Sequence, residues 1–140
     1  MKGNIYYIAY SLIEEQSSAN QIQTKNTFLN LQGIFPNITG IFLGNKTSLF
    51  WSVRKNNNTY FIDKTNFKAG VIEKYFNIGI FRKNFFPYLF ARRCGQILKK
   101  DKGHKHIYIR QGEVDEFLLY LKRMDALQIQ TIVFEFHNLH

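Results

Sequence analysis

Glu135 and His137 are the residues of this chain whose types and spacing most readily do chemistry. They stand two apart in the stretch Thr131-Ile132-Val133-Phe134-Glu135-Phe136-His137-Asn138, which is apolar or β-branched over its first four residues. Such a near-continuous apolar run predicts a strand covered on both faces, and so a central one. Its period of two places Val133, Glu135 and His137 on one face, with a carboxylate and an imidazole emerging together where the strand meets solvent. In a parallel α/β sheet that carboxyl end is where ligands bind. The sequence stops three residues after His137, where a ligand loop is expected to begin, so either the fold finishes there by accident or the chain is one half of a larger arrangement.

The elements that must position this pair follow from the rest of the chain. Its 140 residues suit one domain, and 45% hydrophobic with 16% aromatic content supplies a packed core rather than disorder. Cys94 is the only cysteine, which excludes a disulfide framework and a cysteine zinc site and favours a cytosolic setting. No stretch reads as a signal peptide or approaches the length of a spanning helix. Asn4 to Ser11 is rich in strand formers and predicts the first strand. Ser18-Ala19-Asn20-Gln21 matches a capping box, so a helix starts near Ala19, with Ala19, Ile22, Asn26 and Leu29 on one stripe, Phe28 and Leu31 beside it, and Gly33 placed to end it. The free N–H groups of that helix start make a weak anion site. The preceding loop carries Glu14 and Glu15 and lacks Gly-x-Gly-x-x-Gly, which excludes a nicotinamide or flavin site.

Ile38 to Leu43 predicts strand two and Tyr60 to Ile62 a short strand, with Lys55 to Asn58 as a break between them. Phe86, Phe90, Cys94 and Ile97 recur at helical spacing and predict a helix over residues 85 to 100, followed by a strand His106 to Ile109 that ends in Arg110. A helix over Glu113 to Leu127 then completes a βαβ unit with the final strand.

The formal charge of +9 is concentrated: residues 82 to 105 hold eight Lys or Arg against Asp101 alone. Arg92, Arg93, Lys99 and Lys100 lie on one face of the predicted helix, a patch that suits phosphate, anionic lipid or nucleic acid, or simply a solvated basic surface. The aromatic stripe opposite them favours a core helix over one lying on a membrane. No pair of histidines or carboxylates has metal-ligand spacing, so no metal is expected.

The Ala19-Asn20-x-Ile22-Gln23-x-x-Asn26 helix start, the Tyr108-x-Arg110 strand end and the Glu135-x-His137 strand end occur in one order across the whole chain. In this the chain resembles the N-terminal domain of family 4 glycosyltransferases of the GT-B fold. The resemblance implies a three-layer Rossmann-like α/β domain with a mostly parallel sheet, covering residues 1 to 140 as the first lobe. It implies transfer of a sugar from a nucleotide-sugar donor, without a metal or other cofactor, to a cell-surface glycan or lipid-linked acceptor held by this lobe. The donor nucleotide belongs to a second domain with a Glu-x7-Glu signature, so the partner expected is that missing domain or a separate chain, and the half alone is expected to be inactive. His137 is placed at the reacting sugar with Glu135 beside it; Arg110, the loop to Asn20 with Ser17 in it, and Asn138 line the same cleft. Many members carry Gly-Gly after the first strand, where Glu14, Glu15 and Gln16 stand here.

The resemblance places the protein in the cytoplasm, with the basic patch near the inner face of an anionic membrane. Two readings remain beside it: a basic α/β module for nucleic acid or membrane, and a non-catalytic partner subunit. No helix-turn-helix or aromatic RNA-binding pattern supports nucleic acid. Glu135 equally suits a loop backbone, and Arg110 equally suits a pairing with Glu135 or Glu113.

Overall fold

A computed structural model describes residues 3–15, 17–46, 51–63, 85–110 and 129–135. Within these the chain is an α/β protein built on a six-stranded, mostly parallel sheet. The first strand, β1 (Asn4–Leu12), runs into helix α1 (Ala19–Ile34), then β2 (Thr39–Gly44), β3 (Val53–Asn56) and β4 (Thr59–Asp63). Helix α2 (Phe85–Lys100), β5 (Lys105–Arg110) and β6 (Ile129–Glu135) follow. The strand order is β3-β4-β2-β1-β5-β6. β3 is antiparallel to β4, and all other pairs are parallel.

Both faces of β1 are buried, which is why it reads as apolar at nearly every position. Tyr6 and Ile8 join one core cluster with Ile41, Ile107, Ile109 and the α2 residues Phe90, Ala91, Cys94, Ile97 and Leu98. Tyr7 and Ala9 join the other with Phe42, Phe61 and Phe28 of α1. Phe90, Cys94 and Ile97 of the α2 stripe are therefore core, as their spacing suggested, and are not available to a bilayer. Burial pushes the Cys94 thiol well up, so it stays protonated. Among the described residues no helix is long and apolar enough to cross a membrane.

Four expectations need correction. The apolar stripe assigned to α1 faces solvent: Ile22 is 41% and Leu29 51% exposed, while Thr24 and Phe28 are buried. The reason is aromatic packing, since Phe28 sits between Tyr7 and Phe42 with ring centroids 6.0 and 5.0 Å away, and one buried ring covers more area than either aliphatic. Gly33 does not end α1. The helix runs on to Ile34, where the Phe35 N–H donates to Leu31 O at 2.7 Å and Pro36 prevents further turns. The final strand is not central: among the described residues β6 is the outermost strand beyond β5, and Ile132 and Val133 are 36% and 43% exposed. Ile132 and Val133 point to opposite faces and both are exposed, so the apolar run reports side-chain type alone, and neither the cover over a strand nor its number of neighbours follows from it. The proposed break at Lys55 to Asn58 is in part strand, a tight β3–β4 hairpin whose Asn57 takes the left-handed conformation (φ 54°) that asparagine tolerates. The predicted helix over Glu113 to Leu127 lies outside the described residues.

The amino edge of the sheet is tied by Asp101. Its Oδ2 accepts from Asn4 Nδ2 at 2.6 Å and Tyr6 Oη at 2.7 Å, and its Oδ1 from the Gly103 N–H at 2.9 Å. Burial alone would raise this carboxyl, but those hydrogen bonds and the nearby Lys105 charge outweigh it and hold it below its ordinary value of 3.8. The lowered value means that the bonds contribute stability in full above the unfolded value. That contribution is lost as pH falls through the folded one. Denaturant titrations at a series of pH values below about 4 should therefore show a stability slope that Asp101→Asn flattens. An unchanged slope in the variant would show that other carboxylates carry it.

Candidate functional site

Strand order alone nominates a crevice. β1 leads through α1 to β2 on one side, whereas β5 lies on its other side, so the connections diverge between the carboxyl ends of β1 and β5. Open α/β sheets bind ligands at such a point. The residue at the end of β5 is Arg110, which is only 4% exposed. Its Nε donates to Asn20 Oδ1 at 3.3 Å and its Nη2 to Gln23 Oε1 at 3.1 Å. Asn20 and Gln23 are three apart and thus share a face in the first turns of α1. A buried guanidinium at the strand end is therefore held against the helix start by two amides.

The capping box predicted at Ser18 is present. Ser18 Oγ accepts from the Gln21 N–H at 3.2 Å, and Gln21 Oε1 accepts from the Ser18 N–H at 3.2 Å. Ser17 adds its own N–H and Oγ to the same oxygen, each at 2.9 Å. Ser17 thus fixes the entry to α1 and takes its place in the loop through Gln21 rather than through Arg110. On β1, Ser11 is buried, and its Oγ has no hydrogen-bond partner among the described residues.

A cluster that sequence reasoning did not find closes the other side of the carboxyl edge. Arg54 forks onto Asp63 at 2.7 and 3.0 Å and reaches Glu14 at 2.8 Å. Glu14 also accepts from the Asn45 N–H at 3.1 Å, and Asp63 from the Lys46 N–H at 3.3 Å. Gly44 makes room for it, because a Cβ there would run into the Asp63 carboxylate. Glu14 is therefore spent on a cation rather than aimed at a ligand. With β1, β2 and β4 bridged in this way, the β1–β5 side is the part of the edge where Arg110 stands. No sequence signal marks this cluster, since its members lie up to 49 residues apart and are joined by strand pairing alone. Gln23, by contrast, could have been found from its spacing to Asn20.

The structure thus brings Arg110 and Asn20 together, two of the residues nominated for substrate binding. Glu135 ends β6 as the register partner of Arg110. His137 and Asn138 lie outside the described residues. Of the basic patch, Arg92, Lys99 and Lys100 are exposed on α2, whereas Arg93 donates to Trp51 O at 3.0 Å and to Gln96 at 2.8 Å. Among the described residues no three His, Cys, Asp or Glu side chains gather as a metal site. The crevice therefore offers a fixed cation and polar amides, chemistry suited to holding a hydroxylated or anionic ligand.

Compared with known protein families, with characterised proteins and with solved structures, the chain matches none of them.

Proposed function

We propose that this chain is the acceptor-side half of a retaining glycosyltransferase, a three-layer Rossmann-like lobe of the GT-B kind. It takes a sugar from a nucleotide-sugar donor and passes it to a cell-surface glycan or lipid-linked acceptor at the inner face of the membrane. The observation that carries the reading is Arg110, which is buried at the β1–β5 crevice and held by Asn20 and Gln23 of the helix start. In this reading Arg110 and Asn20 line the cleft with Ser17 behind them, and Asn138 contacts the acceptor. His137 stabilises the positive charge that develops on the transferred sugar, and Glu135 orients the acceptor. Such fixed, oriented groups contribute to catalysis mainly by electrostatics. A partner domain or chain with the Glu-x7-Glu signature binds the donor nucleotide, and no metal is required.

The test is to assay sugar transfer by this chain alone, by such a donor-binding partner alone, and by the two together. Transfer with retained anomeric configuration is expected only from the combination, and Arg110→Met in the combination should lower kcat/KM roughly a hundredfold, the size of a lost charged hydrogen bond. Turnover by the 140 residues alone, or an Arg110→Met variant as active as the parent, would contradict the proposal.

A further inference from the structure

A second concave surface lies on the opposite face of the sheet. It is a groove of about 600 Å³ between α2 and the β3–β4 hairpin, walled by Arg93, Gln96, Lys99, Lys100 and Lys102 and floored by Val53, Tyr60 and Ile97. Among the described residues no carboxylate lines it. Asp101, the one acidic residue nearby in sequence, is turned to Asn4, Tyr6 and the Gly103 N–H. Lys99, Lys100 and Lys102 form no ion pair or hydrogen bond with any described residue, and all three line the same concavity. The groove is separate from the Arg110 crevice. Lys102 precedes β5 and Arg110 ends it, a separation on the order of 17 Å along the strand, and α1 and α2 pack on opposite faces of the sheet.

We infer that this groove binds a stretch of acidic polysaccharide and holds it while the far edge of the sheet carries out transfer. The choice of a glycan among polyanions rests on the proposed function; the charge and shape do not. Three lysines along one wall match carboxylates or phosphates repeated along a chain. Val53, 39% exposed on the floor, offers an apolar contact to the C–H edge of a sugar ring. A bilayer is too flat to enter such a concavity. Single-stranded nucleic acid wants exposed aromatic platforms, whereas the half-buried Tyr60 ring packs on the core and has Lys55 Nζ 5.2 Å from its centroid.

The experiment is calorimetric titration of the chain with polygalacturonate oligomers. Uncharged dextran oligomers, a single-stranded oligonucleotide and anionic phospholipid vesicles serve as competing ligands. Polygalacturonate is expected to bind in a salt-dependent manner. The combined Lys99→Gln, Lys100→Gln and Lys102→Gln variant should weaken binding at least about tenfold with an unchanged thermal unfolding midpoint, whereas Arg110→Met should bind as the parent does. Equal binding of dextran, tighter binding of the oligonucleotide, capture by vesicles without binding of the oligomer, or an unaffected lysine variant would each overturn the inference. Loss of binding in Arg110→Met would move the polymer to the transfer crevice, overturning the inference while leaving the proposed function standing.

Discussion

Replacing Phe28 with alanine is expected to destabilise the protein by about 3 to 5 kcal/mol, the range for deleting a fully buried aromatic side chain. Phe28 is buried, stacks on Tyr7 with an interplanar angle of 15° and meets Phe42 edge-on at 70°. Gly40 leaves the space its ring needs, since a Cβ there would collide with both Phe28 and Phe42. Nothing else on α1 except Thr24 is buried, so this one ring seats the helix. The same helix carries Asn20 and Gln23, and its loss of anchorage should loosen the two amides that hold Arg110. Urea unfolding of Phe28→Ala measures the loss, with Ile22→Ala and Leu29→Ala as comparison. Those two side chains are largely exposed and should shift stability by less than about 1 kcal/mol. A comparable loss in the exposed variants would mean that α1 is seated by the stripe that its spacing suggested, and that the Phe28 anchor is misassigned.

The contrast between Phe28 and its neighbours shows where sequence is informative and where it is not. β1, the capping box at Ser18, the α2 span and the end of β5 at Arg110 were all legible, because each is written in contiguous residues: an apolar run, a Ser-x-x-Gln box, a helical repeat of Phe90, Cys94 and Ile97. The buried face of α1 was not legible. Four aliphatic or small positions at helical spacing outweighed a single aromatic in the pattern, whereas packing favoured the aromatic because Tyr7, Phe42 and Gly40 from two other strands formed a place for it. Nor could the position of β6 be read, since strand order depends on which neighbour a strand finds. The site divides in the same way. Arg110 and Asn20 were nominated separately, but only the adjacency of β1 and β5 brings them within hydrogen-bonding distance.

Arg54 tests how far this edge depends on strand pairing. Arg54→Met should cost about 2 to 3 kcal/mol, less than for a wholly buried pair because the Arg54 side chain is 28% exposed while that of Asp63 is 4% exposed. The cost arises from the partner left behind: without the guanidinium, the buried Asp63 carboxylate keeps only the Lys46 N–H at 3.3 Å among the described residues. Glu14 is better solvated, at 25% side-chain exposure, so Glu14→Gln should change stability by no more than about 1 kcal/mol. The decisive measurement is a double-mutant cycle by urea unfolding. Adding Asp63→Asn to Arg54→Met removes the stranded charge and should recover at least half of the loss. If the double variant is as unstable as Arg54→Met, the arginine acts by packing on Phe61, whose ring centroid lies 5.1 Å from its guanidinium carbon, and the charge clamp is not what closes this side of the edge. If recovery is seen, the carboxylates of Glu14 after β1 and Asp63 at the end of β4 are committed to the fold through Arg54 rather than held in reserve for a ligand.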